Sequence, residues 1–75
     1  RVIQKQIYRD LNKIIDKLPK DQKEVVKLRY FEDMSFKKIS DLTGVSINTS
    51  LGRMRYALIN IRRLSKKYNI DLQLF

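Results

Sequence analysis

The sequence predicts an all-α fold: a four-helix domain with a C-terminal helix-turn-helix and a long last helix. Apolar residues recur at spacings of three and four along most of the chain, which is the pattern of amphipathic helices. Pro19 and Gly44 lie between the periodic segments, where helices are expected to end. Because the chain has only 75 residues, we predict a single domain over residues 1–75.

The first two helices are predicted over residues 2–17 and 20–31. Pro19 separates them, because proline disfavours helical geometry in the residue before it. Asp21 and Glu24 lie in the first turn of the second helix, where the helix dipole favours negative charge. The apolar face of the first helix is formed by Ile3, Ile7, Leu11, Ile14, Ile15 and Leu18, and that of the second by Val25, Val26, Leu28, Tyr30 and Phe31.

The third and fourth helices are predicted over residues 35–43 and 46–67. Ser35 and Ser46 are good N-caps, and Gly44 occupies the position that favours a left-handed residue. A short helix and a long helix joined by a turn with glycine form a helix-turn-helix. The third helix is expected to bury Phe36, Ile39 and Leu42. The tail, residues 68–75, is compatible with folding back on the domain or with fraying.

The fourth helix has the most regular apolar stripe in the chain. Core packing is the favoured interpretation, and a coiled coil is the alternative. The stripe consists of Ile47, Leu51, Met54, Leu58, Ile61, Leu64 and Tyr68, and the opposite face carries Asn48, Thr49, Gly52, Arg53, Tyr56, Asn60 and Arg63.

The composition argues against several classes of function. The chain has no histidine and no cysteine, so it lacks the commonest general base, thiol nucleophiles and disulfides. No glycine-rich phosphate loop and no run of about 20 apolar residues is present. We therefore expect a non-enzymatic cytoplasmic protein without cofactor, metal or membrane contact. The first residue is Arg1 rather than methionine, which is compatible with a fragment of a longer protein.

The positive charge is concentrated in the second half of the chain. The net charge is +9, and the segment 42–70 contains six basic residues and no acidic one. Such a surface is typical of proteins that bind polyanions, although a solvated surface without a partner is the simpler alternative.

The start of the fourth helix has the residue types that a DNA major groove accepts. Its leading side chains are small and polar, which lets the helix backbone approach the bases. Asn48, Arg53 and Arg55 can form directional hydrogen bonds, and Tyr56 can contact a phosphate or a sugar. A solvated helix face is the alternative.

From Leu18 onward the chain resembles region 4 of bacterial RNA polymerase sigma factors of the sigma-70 family, most closely the extracytoplasmic-function type. The stretch reads LPKDQKEVVKLRYFEDMSFKKISDLTGVSINTSLGRMRYA. The matching positions fall in register without gaps: Leu18, Pro19, Val25, Leu28, Arg29, Tyr30, Ser35, Phe36, Ile39, Gly44, Val45, Ser46, Thr49, Arg53 and Ala57.

The resemblance implies that the last helix binds the promoter −35 element in double-stranded DNA, as part of an alternative sigma factor that directs transcription initiation. It also implies docking on the β-subunit flap of RNA polymerase core and, in many members, sequestration by an anti-sigma factor. Together with the geometry, it gives the candidate DNA-binding residues Lys37, Lys38, Ser46, Asn48, Thr49, Gly52, Arg53, Arg55 and Tyr56.

Two departures from the family pattern stand out. Ser50 and Leu51 replace the usual valine and a lysine or arginine. Leu51 either turns inward, with Ser50 at the margin of the core, or stays outward and meets thymine methyl groups. The inward orientation is favoured, so Leu51 is left out of the candidate site. Lys37 and Lys38 lie in the first turn of the third helix, where they oppose the helix dipole. They either face DNA phosphates or are ordinary surface lysines.

Two other functions are compatible with the sequence. One is the helix-turn-helix effector domain of a response regulator or another transcription regulator. The other is a helical protein-interaction module that uses the apolar stripe of the fourth helix.

Overall fold

The computed structural model describes residues 5–70, and side chains from Arg9 onward. It contains helices α1 (Lys5–Ile15), α2 (Lys20–Val26), α3 (Phe36–Thr43) and α4 (Ile47–Lys67). A wider π-helical turn, Lys27–Phe31, continues α2. Residues 5–70 contain no strand, so the predicted all-α fold with four helices is confirmed. The predicted helix start at residues 2–4 and the tail residues 71–75 lie outside the described residues.

The hydrophobic core forms around α4, which packs against each of the other three helices. The predicted faces of α1 and α2 are confirmed where side chains are described: Leu11, Ile14, Ile15, Leu18, Val25 and Val26 are buried. The partly buried Leu28, Tyr30 and Phe31 pack at the edge of this core. Ile3 and Ile7 lie outside the described side chains.

The connection between the π-helical turn and α3 is held by side-chain and backbone hydrogen bonds. The Met34 N–H donates to the Leu28 carbonyl at 3.0 Å, and Arg29 Nη1 donates to the Met34 carbonyl at 2.8 Å. The Arg29 guanidinium also lies 5.1 Å from the centre of the Phe36 ring, a cation–π distance. These contacts fix the start of α3 relative to α2.

One predicted core residue of α3 is exposed. Ile39 is buried and Phe36 packs against the core, but Leu42 is largely exposed, so its predicted burial is wrong. Helix α3 packs through the face that carries Phe36, Ile39 and Thr43, and Leu42 lies on the other side of Ile39. The Thr43 hydroxyl donates to the Ile39 carbonyl at 2.7 Å on the packed side.

The end of α4 turns back toward the domain. Asn69 has a φ of 54°, and the Ile70 N–H donates to the Ser65 carbonyl at 2.8 Å, as in a helix C-cap with a left-handed residue. Ile70 packs against the core, so the first residues of the predicted tail fold back. None of the helices within residues 5–70 combines the length and apolar character needed to cross a membrane.

Candidate nucleic-acid interface

The turn between α3 and α4 has the geometry that the sequence predicts. Gly44 is left-handed, with a φ of 72°, and its N–H donates to the Ser40 carbonyl at 3.0 Å. The Ser40 hydroxyl donates to the Val45 carbonyl across the turn. Since these bonds join the last turn of α3 to the residue before the α4 cap, they hold the two helices of the helix-turn-helix together.

The first turn of α4 is capped by Ser46. Its hydroxyl oxygen accepts from the Thr49 N–H at 3.0 Å and its hydroxyl donates to Thr49 Oγ1 at 2.9 Å. Both residues therefore stabilise the start of α4. Replacing a capping serine by alanine typically lowers stability by about 1 kcal/mol. Thr49 Oγ1 accepts in this contact, so its own proton remains available for an acceptor outside the turn.

The packing of Ser50 and Leu51 is the reverse of the favoured prediction. The exposed fraction is 1% for Ser50 and 44% for Leu51. The predicted inward orientation of Leu51, with Ser50 at the margin, is therefore wrong, and Leu51 has the outward orientation of the alternative interpretation. The buried face of α4 consists of Ser50, Met54, Ala57, Ile61 and Leu64.

This buried face differs in phase from the predicted stripe. Met54, Ile61 and Leu64 are buried as predicted, but Ile47, Leu51 and Tyr68 are exposed. The small residues Ser50 and Ala57 let α4 lie close to its neighbours, and a hydrogen bond of 2.7 Å from Asn60 Nδ2 to Gln22 Oε1 ties α4 to α2. These contacts set the rotation of the helix, which apolar spacing alone did not predict.

Arg53 lies on the side of α4 that faces the start of α2. Its Nε is 3.6 Å from Asp21 Oδ2, and 28% of its side chain is exposed. The Asp21 side chain is more exposed than that of Arg53, so solvent screens the pair and its net contribution is at most about 1 kcal/mol. Arg53 is therefore held at the edge of the leading turns of α4, residues 47–56, by a contact that a phosphate or a base could replace.

The exposed side of the leading turns carries the other predicted residues of α4. Asn48, Arg55 and Tyr56 are exposed, and Gly52 lies among them. Within the part of the chain that the structure describes, a Cβ atom built at Gly52 meets no atom outside the neighbouring helix backbone within 4 Å. Glycine inside a helix lowers stability by about 1 kcal/mol relative to alanine. Packing among the described residues does not explain why position 52 carries a glycine.

The two predicted lysines lie on the first turn of α3. Lys37 Nζ is 3.7 Å from Asp41 Oδ2, and the two side chains are 77% and 65% exposed. The Lys38 N–H donates to the Ser35 cap hydroxyl at 3.1 Å, and its side chain is exposed. The exposed ion pair of Lys37 contributes little to stability, so a polyanion can replace Asp41 as its partner. The side chain of Lys38 is exposed as well, and both ammonium groups are therefore accessible to a polyanion.

An apolar groove lies next to these turns on the α3 side of α4. It has a volume of about 350 Å³ and is lined by Phe36, Leu51, Met54, Arg55, Leu58, Ile59 and Arg62. Ile59 and Leu51 are exposed along it. This surface was not predicted from the sequence, because the apolar spacing placed Leu51 and Leu58 in the core.

A comparison with known protein families matches most of the chain. The model of the family described as "Sigma-70, region 4" matches residues 8–55, which include α2, α3 and nearly all of the leading turns of α4. The chain belongs to the sigma-70 region 4 family. This confirms the resemblance to a sigma factor of the extracytoplasmic-function type and identifies the chain as a sigma-factor DNA-binding domain. The response-regulator alternative is set aside.

A curated relative supports the same assignment for this region 4 domain. The chain is 39% identical over 49 residues to the RNA polymerase sigma factor SigV of Bacillus subtilis (strain 168). The aligned residues are 65% of this chain and 30% of SigV, so the chain spans less than a third of the relative that it matches. No solved structure gives a significant match.

Within this region 4 domain five of the candidate residues of α4 lie on two different sides of the helix. Asn48, Gly52, Arg55 and Tyr56 share the outer side of α4, whereas Arg53 flanks it beside α2. Ile47, which is 43% exposed, and Leu51 also face solvent on the leading turns, although the favoured prediction placed both in the core. The sequence signal for the true buried face was the pair of small residues at positions 50 and 57. They occur at helical spacing with Met54, Ile61 and Leu64.

Proposed function

We propose that this region 4 domain binds the promoter −35 element, with the leading turns of α4 in the DNA major groove. The observation that carries the proposal is Gly52, an energetically unfavourable glycine on an exposed side of α4 with open space above it. A glycine at this position lets the helix backbone come close to the base edges. Asn48 lies one helical turn before Gly52 and Arg55 one turn after it, within reach of bases or phosphates.

The remaining candidate residues have positioning roles in this proposal. Ser46 and Thr49 form the start of α4, and Thr49 Oγ1 can also donate to a phosphate. Lys37 and Lys38 contact the DNA backbone from the first turn of α3, because the first helix of a helix-turn-helix crosses the backbone. Arg53 exchanges its partner Asp21 for a DNA acceptor when the duplex binds.

The experiment that tests this function is selection of bound duplexes from a random library with the 75-residue chain, followed by titration at about 50 and 200 mM salt. We expect one preferred sequence, with affinity that falls steeply between the two salt concentrations as phosphate contacts release counterions. Enrichment of no sequence, together with weak binding to every duplex, would contradict the proposal.

RNA polymerase is the second proposed partner. The relative that the chain matches is named as an RNA polymerase sigma factor, and the apolar groove beside Phe36 and Leu58 is a surface suited to a protein segment. We propose that the domain docks on the β-subunit flap of the core enzyme through its helical body. Binding of the isolated flap, measured by calorimetry for the unaltered chain and for Leu58→Glu, tests this contact. Equal affinities of the unaltered chain and Leu58→Glu for the flap would exclude the groove as the docking surface.

An anti-sigma factor is proposed as a further partner that would compete for the same surfaces. If the domain binds neither DNA nor the flap, the protein-interaction module remains as the alternative function, and the groove is the surface that favours it.

A further inference from the structure

Two exposed apolar side chains lie on the leading turns of α4. Ile47 and Leu51 are 43% and 44% exposed and are four residues apart, so they are neighbours on one side of the helix. The buried face of the same helix is formed by other residues, from Ser50 to Leu64. Ile47 and Leu51 therefore leave apolar surface in solvent at the position where the proposed function places DNA bases.

The chemistry of this surface restricts what it can recognise. Neither side chain can donate or accept a hydrogen bond, so neither can read the polar edge of a base. The apolar group that a base pair displays in the major groove is the C5 methyl group of thymine. Asn48 and Arg55 lie three residues before and four residues after Leu51, on the same part of the helix surface. They supply the polar contacts that would hold the duplex against it.

Open space at Gly52 favours such a contact. Gly52 follows Leu51 in α4, and a Cβ built there meets nothing within 4 Å in the described part of the chain. The helix backbone can therefore approach a base pair closely at this point, beside the exposed side chain of Leu51. From these placements we infer that Leu51, supported by Ile47, is a specificity-determining residue that contacts thymine methyl groups. This inference rests on the proposed binding of promoter DNA.

Replacement of thymine by deoxyuridine tests the inference, because the two bases differ only in the C5 methyl group. Each thymine of the selected duplex is replaced in turn, and the dissociation constants are measured for the unaltered chain, Leu51→Ala and Ile59→Ala. Ile59→Ala is the matched control, since Ile59 is an exposed apolar residue of α4 beyond the leading turns. Thermal unfolding verifies that each variant is folded.

We expect one or two replacements to weaken binding of the unaltered chain about fourfold each, the effect of one lost buried methyl group. Ile59→Ala should show the same sensitivity, whereas Leu51→Ala should bind the thymine and deoxyuridine duplexes equally. Specific binding that no replacement weakens would overturn the inference and leave the proposed function standing. So would a Leu51→Ala variant that keeps the sensitivity. Absence of sequence-specific binding by the unaltered chain would overturn both.

Discussion

The leading turns of α4 and the rest of the same helix carry the same apolar periodicity but lie in different environments. Beyond the leading turns the apolar residues Ile61 and Leu64 are buried against the other helices. In the leading turns Ser50 is buried, and the larger apolar residues Ile47 and Leu51 face solvent. An apolar stripe therefore predicts a helix, but it does not predict the rotation of that helix when small residues compete for the packed face.

The largest expected effect is the difference in free energy of unfolding between a substitution in the buried part of α4 and one in its leading turns. Ile61→Ala should lower the free energy of unfolding by about 2–5 kcal/mol, because it leaves a cavity in the core. Ile47→Ala should change it by no more than about 0.5 kcal/mol, as at an ordinary surface position. Urea denaturation of both variants checks this. Equal losses would place Ile47 in the core and remove the contrast.

The next effect concerns Arg53, which pairs with Asp21 at the start of α2. Arg53→Ala should weaken binding of the selected duplex by about 1–3 kcal/mol if the guanidinium reads a base. The matched variant Asp21→Asn removes the carboxylate that holds Arg53. It should leave DNA binding unchanged or tighten it by less than about 1 kcal/mol. A loss for Arg53→Ala that is equal on every sequence would limit Arg53 to phosphate contact.

A smaller effect is expected at Ser50, where the leading turns meet the core. The Ser50 hydroxyl is buried and has no hydrogen-bond partner among the described residues. Ser50→Ala removes it and leaves a better helix former, so the free energy of unfolding should rise by about 1 kcal/mol. Thermal or urea unfolding measures the change. A fall in stability would mean that the hydroxyl contributes a hydrogen bond to the folded state.

Charge on the neighbouring helix gives the smallest expected effect. Lys37→Gln and Lys38→Gln should each flatten the dependence of log affinity on log salt by about 0.9 if one phosphate contact is lost. Lys13→Gln, on α1, is the control for the loss of one positive charge. If the α3 variants and the α1 control change the slope equally, the lysines of α3 contribute only net charge.

Local chemistry explains what could be predicted from the sequence. The ends of α3 and the start of α4 depend on Ser35, Gly44 and Ser46, whose capping preferences act within a few residues. The family pattern in the same stretch pointed to the DNA-binding function. The candidate site residues follow partly from that pattern and partly from helix geometry, as for Lys37, Lys38 and Asn48. They stay predictions, although the structure gives each of them a place.

Contacts between distant residues explain what could not be predicted. The rotation of α4 depends on packing and on the bond between Asn60 and Gln22, which are 38 residues apart. The pair of Arg53 and Asp21 likewise joins two helices. Leu42 is exposed because α3 packs through Ile39 and Thr43. A single sequence contains no direct signal for such pairs.

The most direct test of the account is Gly52→Ala, because stability and DNA affinity should change in opposite directions. The space above Gly52 is open, so alanine should raise the free energy of unfolding by about 1 kcal/mol. In the complex the added methyl group would meet the duplex and weaken binding by about 1–3 kcal/mol. A variant that is more stable and binds the selected duplex as tightly as the unaltered chain would contradict the claim that the leading turns of α4 enter the major groove.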